Sequence, residues 1–293
     1  MKRFIKQSVL FMFLIGAGVL QGQISEIEKE ALKDIYDNTA GQNWHMKWDL
    51  TKSETTWHGV VIDNGHVVKL NLYRNGLVGN IPSTIKNLKN LEVLNFAFNK
   101  LAGEIPAELF SLAKLKSVRL EMNALTGSLP SNFDGAKRLE ELSLFNNLLK
   151  GTIPNGIGEA KELKILNLSS NYFEGQLPKS IAELKNLESL EMFGNKLSGA
   201  IDVELGQLKN LRELVLSYNQ FEGNLPQSTA SLAKLEFVQL QGNNFRSIRS
   251  LQNLSAEGLA TFDSDDEFLN IQFAKEILSR TRMATNKFED VED

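Results

Sequence analysis

Cysteine is absent from all 293 residues. That excludes disulfides, cysteine nucleophiles and thiolate metal sites, which is unusual for an exported protein. It also removes the acceptor for a lipoprotein anchor. Histidine occurs only at His45, His58 and His66, near Asp49, Glu54 and Asp63, without the convergent spacing a metal centre needs. No metal and no cofactor is therefore expected. Basic residues are outnumbered 32 to 36, for a formal charge of −4. Such a chain lacks the basic patches that hold nucleic acid. The apolar run over residues 9–20 falls short of the roughly 20 residues a membrane span requires. Behind the basic MKRFIK it reads as the core of a secretory signal peptide over residues 1–22, cleaved near Gly22 or Gln23. Loss of Lys2, Arg3 and Lys6 takes the charge from −4 to −7. The expected destination is the periplasm, the cell surface or the medium, with no membrane span in the mature chain. Enzyme motifs are lacking too: there is no Gly-rich phosphate loop after a strand, no Gly-x-Ser-x-Gly and no His-Glu-x-x-His.

What the chain does have is a period. Asparagine recurs every 24 residues at Asn75, Asn99, Asn123, Asn147, Asn171, Asn195, Asn219 and Asn243. Five and three residues before each lies an apolar pair, such as Leu70/Leu72, Leu142/Leu144 and Val238/Leu240, the alternation of a strand with one buried face. An apolar residue follows two positions later, then glycine in the first seven units. All six prolines share one phase: Pro82, Pro106, Pro130, Pro154, Pro178 and Pro226. Each unit thus predicts a short strand, a tight turn at Asn and a loose helical return. One unit alone cannot bury its leucines, whereas a stack forms one continuous core under a parallel sheet. The Asn amide has both donors and an acceptor and can satisfy backbone groups that the turn would bury unpaired, so the ladder is read as structural.

The pattern Leu-x-x-Leu-x-Leu-x-x-Asn-x-Leu-x-Gly-x-Ile-Pro resembles the plant-type leucine-rich repeats of receptor-kinase ectodomains, polygalacturonase-inhibiting proteins and secreted bacterial proteins. The resemblance covers residues 67–248 as eight repeats and implies an α/β solenoid: a right-handed superhelix with a parallel concave sheet, capped at both ends. Repeat six departs from it with Asp202 in place of proline, and the eighth lacks both glycine and proline. Trp57-His58-Gly59-Val60 is similar to the N-terminal caps of the plant members, whose flanking cysteines would fall at Thr55 and Ile62. Their absence points to a bacterial source.

Two caps are expected. Residues 23–66 open with the capping box Ser25-x-x-Glu28 and a helix to about Asp37, with Ile27, Ala31 and Ile35 on one face. Trp44, Trp48 and Trp57 follow, read as hydrophobic replacements for a disulfide staple, with a carbohydrate platform as the sharper alternative. Residues 249–293 leave the repeat as a C-terminal cap and acidic tail. There Leu269, Ile271 and Phe273 alternate like a strand, while Phe273, Ile277 and Leu278 suit a helix.

Function is expected on the concave face. The two positions before each Asn carry a large aromatic or methionine in six of eight units: Tyr73 (beside Arg74), Phe98, Met122, Phe145, Phe193 and Tyr218. An exposed apolar stripe of this kind marks an interface, and aromatics are the usual anchors of binding. The competing reading is that the rings lean together and shield the sheet. The stripe breaks at Ser169-Ser170, splitting it into two groups. Charges at Lys69, Arg119, Glu121, Glu141, Glu191 and Glu213 suggest a mixed, partly acidic rim. For Glu121 or Glu141 to act as an acid or base would take a deep pocket, which an open sheet rarely provides. Eight strands at about 4.8 Å span roughly 34 Å, about ten residues of extended peptide. A protein, peptide or oligosaccharide ligand fits. The alternative is a structural or adhesive envelope protein using its convex or lateral surface. Asn167-Leu168-Ser169 and Asn253-Leu254-Ser255 have the form of glycosylation sequons, a meaningless match in a bacterium.

Overall fold

The computed structural model describes residues 23–254, 258–275 and 277. The expected signal peptide, Leu278, Ser255 of the second sequon and the acidic tail lie outside the described residues. Within them, the 24-residue period becomes the register of a sheet. Leu70 pairs with Leu94, Leu94 with Val118, Val118 with Leu142, and so on in parallel to Leu214 with Val238. The leucines at this phase are fully buried, forming a single core that runs the length of the molecule. This sheet has ten strands. One addition is an antiparallel edge strand, Val60–Asp63, in the N-terminal cap. The other is Thr261–Asp263, which pairs with Phe237–Gln239. The segment expected to leave the repeat thus carries the register one strand further, with Phe262 at the phase of Val238.

A second sheet was not foreseen. Short extended pieces just after the asparagines, from Lys150–Thr152 through Asn244–Ser247, pair in parallel as five strands. A further two-stranded pair lies at Val78–Gly79 and Lys100–Leu101. The returns between the sheets are short 3-10 helices, except after Pro130, where the chain runs through turns. Proline caps five of them, as at Pro82 and Pro178, its fixed φ suited to the position before a helical turn. Repeat six, with Asp202 instead, has a helix of only three residues, Leu205–Gln207, where five is usual. Asp202 is exposed and pairs with Lys179 at 2.6 Å.

The asparagines stitch neighbouring repeats together. Asn147 accepts the Leu125 N–H at 3.0 Å through Oδ1. Its Nδ2 donates to the carbonyls of Leu120 and Leu144, both at 3.0 Å. The same three partners, at the same offsets, recur from Asn99 to Asn243. At the first rung Asn75 instead accepts the Met46 N–H of the cap at 2.7 Å and donates to its carbonyl. At the last, Asp265 accepts the Gly242 N–H at 2.9 Å, closing the ladder with a carboxylate.

The N-terminal helix runs Glu26–Asn38 with the expected capping box. Its buried residues are Glu28, Ala31, Leu32 and Ile35, whereas Ile27 is exposed. At 3.6 residues per turn Ile27 points about 90° from the centre of that arc, and Glu28 points almost along it. Glu28 is kept there by more than the cap, since its Oε1 also accepts the Val67 N–H at 3.1 Å and binds the helix to the first strand. The three tryptophans are buried in one cluster with Tyr36, so they form no carbohydrate platform. At the other end residues 267–275 are helical. Leu269 and Phe273, one turn apart, are buried and Ile271 is exposed, which excludes the strand reading.

Candidate ligand-binding face

On each rung three side chains face the concave surface, six, four and two positions before the Asn. A fourth, immediately before it, sits at the strand's end. That last position is left-handed in every repeat: Arg74, Phe98, Met122, Asn146, Ser170 and Tyr218 have φ between 48° and 58°, and Gly194 and Gly242 complete the column. For an L residue this conformation costs about 1–2 kcal/mol. The ladder hydrogen bonds hold it in place and turn these side chains out along one edge. Glycine twice and asparagine once in a single phase of the sequence is the signal that could have revealed it.

The position two before the Asn divides by size. Ala97, Ser169 and Ser217 are buried, as is Glu121, while Tyr73 and Phe193 are exposed and Phe145 is half-buried. The rings do lean together, in diagonal pairs across neighbouring rungs. Tyr73 meets Phe98 at 5.3 Å and Phe193 meets Tyr218 at 5.3 Å. Pairing does not hide them, for Tyr73, Phe98, Phe193 and Tyr218 keep 46%, 42%, 38% and 54% of their surface in solvent. The half-buried Met122 accepts from the Asn146 amide through its sulfur.

The expected rim of charges is only partly a rim. Glu121 is buried, and Arg119 serves it and Glu141 together, at 2.7 Å and 3.6 Å. Glu141 also accepts the Ser117 hydroxyl at 2.7 Å. One guanidinium thus serves two carboxylates. Two rungs further on the arrangement is different. Glu191 accepts the Asn167 amide at 2.8 Å and the Ser189 hydroxyl at 3.0 Å. The same hydroxyl lies 2.9 Å from Glu213. Neither glutamate has an ion-pair partner among the described residues. Burial pushes the Glu191 carboxyl above the ordinary glutamate range; the Ser189 hydrogen bond opposes this and the Glu213 charge adds to it.

The interruption at Ser169-Ser170 is a depression. Ser169 lies on the floor of a hollow of about 380 Å³, with Phe145 and Phe193 beside it and Glu191 and Asn167 among its lining. The Asn167 sequon therefore falls on this face, its amide already engaged. Sequence reasoning had each of these residues in view but took a small side chain between two large ones for a gap in the stripe.

Comparisons with known proteins agree with this geometry. The Leucine Rich Repeat family model matches residues 66–88, 90–112, 138–160, 162–184 and 210–232. Among solved structures the chain is similar to PEPR1 in its complex with AtPEP1, with a TM-score of 0.73 and 26% identity over 82% of this chain and 38% of that one. It is similar to the Arabidopsis receptor kinase HAESA, solved with the peptide hormone IDA and the co-receptor SERK1, with a TM-score of 0.62 and 33% identity over 67% of this chain and 33% of that one. A leucine-rich repeat protein of Leptospira interrogans is similar with a TM-score of 0.57 and 33% identity, over 67% of this chain and 48% of that one. The chain spans between a third and two-fifths of the length of the two receptors. No helix among the described residues is long and apolar enough to cross a membrane. The unit behind both sheets and the ladder is the leucine-rich repeat, and this is a leucine-rich repeat protein of the 24-residue kind.

Proposed function

We propose that this chain is an exported recognition protein that binds a peptide or protein segment along its concave face, and that it performs no catalysis of its own. The observation that carries the reading is the aromatic ridge. Four large rings stand 38–54% exposed on a sheet whose backbone is otherwise fully engaged, at a solubility cost that a bound partner would recover. Aromatic anchors beside a shallow hollow are the usual make-up of a binding hot spot. PEPR1, solved with AtPEP1, and HAESA, solved with the peptide hormone IDA, are similar to this chain. The anchors are Tyr73, Phe98, Met122, Phe145, Phe193 and Tyr218, with Arg74 at the N-terminal edge and the Arg119–Glu121 pair ordering the floor between them. Export rests on the N-terminal leader.

The test is capture of partners from extracellular extracts and extended-peptide libraries by immobilised mature protein, beside a Phe98/Phe145/Phe193→Ala triple variant. The native protein should retain a partner that the variant loses by about 100-fold or more, since truncating a hot-spot ring costs about 2 kcal/mol or above. The variant should still melt cooperatively. Leu144→Ala is the counterpart: it empties a fully buried core site and should cost about 2–5 kcal/mol of stability while leaving the ridge in place. A partner held equally by native and triple variant would move the site off the concave face.

A further inference from the structure

From the hollow at Ser169 we infer that the concave face holds a socket for a cationic side chain of its partner, arginine in preference to lysine, seated between Phe145 and Phe193 with its charge against Glu191. The inference rests on the concave-face reading above and assigns the chemistry of one subsite within it.

Geometry comes first. Phe145 and Phe193 are two rungs apart, about 10 Å at the spacing of parallel strands. Between them Ser169 is buried, and its hydroxyl is taken up by the Phe193 N–H at 3.1 Å. Ser169 leaves the middle rung low, so Phe145 and Phe193 stand on either side of the hollow. Val215, Phe237 and Gln239 continue its lining. A flat group with apolar faces and a polar edge suits such a space.

Charge selects among flat groups. An ionised carboxylate has about four acceptor sites, and Glu191 uses two, one on each oxygen. The remaining sites belong to a group that is half-buried, whose charged form burial disfavours, and which has no counter-charge among the described residues. The Ser189 hydroxyl has one hydrogen to share between Glu191 and Glu213, so the two carboxylates are brought close with too few donors for both. Three rungs away the Arg119 guanidinium supplies to Glu121 and Glu141 the counter-charge that is missing here. A guanidinium from the partner would complete the second cluster in the same manner. It is planar, carries donors along its edge and stacks on aromatic faces, whereas the lysine ammonium is a more strongly hydrated point charge. A neutral sugar would present hydroxyl donors but leave two adjacent negative charges unbalanced.

The test uses the mature full-length chain and libraries of ten-residue peptides. One position is fixed as arginine, lysine, citrulline or norleucine, and the rest are randomised. The arginine pool should bind native protein about thirtyfold or more tightly than the citrulline pool, with lysine between them, because loss of one partner from a desolvated charge pair weakens binding to at least that degree. Glu191→Gln is the matching variant. It keeps the shape, still accepts the Asn167 amide through its carbonyl oxygen and can donate its own amide to the Ser189 hydroxyl oxygen, so with the charge removed it should erase the preference for arginine over citrulline while residual binding persists. Folding of this variant is checked separately, and here the sign is informative. A carboxyl whose pKa is raised in the folded state adds stability when protonated, below the ordinary glutamate range, and loses it as pH rises through the raised value. The groups facing it are Glu213, the neutral Asn167 amide and the Ser189 hydroxyl. Glu191→Gln should therefore melt at or above the native temperature at neutral pH while losing arginine selectivity. A native protein that binds peptides without preferring arginine, or a Glu191→Gln variant that keeps the preference, overturns the socket alone. Binding of no pool overturns the peptide reading and the socket with it.

Discussion

Asn147→Ala is expected to destabilise the solenoid by about 3 kcal/mol. The Leu125 N–H has the Asn147 Oδ1 as its partner, so truncation leaves that buried donor unsatisfied, at about 1–3 kcal/mol. The two carbonyls fare better. Leu144 also receives the Asn171 amide at 2.9 Å, and Leu120 also receives Asn123 at 3.0 Å, so each loses one of two bonds, worth about 1 kcal/mol net. The redundancy explains how the ladder tolerates a left-handed residue before each Asn: every repeat is pinned by its own amide and by the next. Asn147→Asp makes the sharper variant. It preserves the acceptor for Leu125 but turns two donors into a carboxylate oxygen facing two carbonyls. It should therefore be less stable than Asn147→Ala at neutral pH and recover towards it in acid, as its buried carboxyl takes up a proton. Because a solenoid is held by nearest-neighbour interfaces, a damaged middle rung should also broaden the urea transition as the halves uncouple. Equilibrium unfolding of the three proteins at two pH values measures all of this, and a loss below about 1 kcal/mol for both variants would show the ladder to be ornamental.

The ladder, the buried leucines and the parallel sheet were legible because a 24-residue period repeats the same evidence eight times. The features missed are those whose cause lies in a neighbouring repeat. Phe173-Glu174-Gly175 shows no strand alternation, and it is extended because the adjacent repeats offer it hydrogen bonds on either side. The last strand of the long sheet escaped because its apolar signature is degraded, with Ser264 at the phase of Leu240, although the register with Phe237–Gln239 is intact. Ile27 was placed by spacing alone, and a four-residue step drifts off a helix face that the capping Glu28 occupies. At the candidate site, the rings of Phe193 and Tyr218 could be read as a stripe. The hollow at Ser169 could not, since a cavity is defined by what stands on either side of it in space. Glu121 and Glu191 both read in sequence as charges on the sheet face. Only the positions of Arg119, Asn167 and Ser189 show that one is ion-paired and the other is not.

Trp48→Ala is expected to cost about 3–5 kcal/mol, the range for emptying a buried aromatic site. Without cysteine the N-terminal cap depends on interlocked rings, and Trp48 is their hub. It stacks on Trp57 at 4.8 Å and on Tyr36 at 5.9 Å, and meets Trp44 edge-on at 4.9 Å. Its indole N–H donates to the His58 carbonyl at 2.8 Å, which fastens the turn that carries Trp57. Trp48→Phe separates these contributions. It keeps much of the stacking, loses the hydrogen bond and should cost about 1–2 kcal/mol beyond its smaller ring. The chain provides its own local probe, because all three tryptophans lie in the cap. Tryptophan fluorescence follows the cap alone, whereas far-ultraviolet circular dichroism follows the whole solenoid. In native protein the two transitions should coincide, since the cap covers the first buried rung at Leu72 and Leu77 and binds it through Met46 and Asn75. In Trp48→Ala the remaining tryptophans should report a transition that precedes the circular-dichroism change, as the cap frays from an otherwise intact stack. Coincident transitions with a loss under about 1 kcal/mol would mean that the N-terminal helix and its Glu28 tie, rather than the rings, keep the end of the solenoid closed.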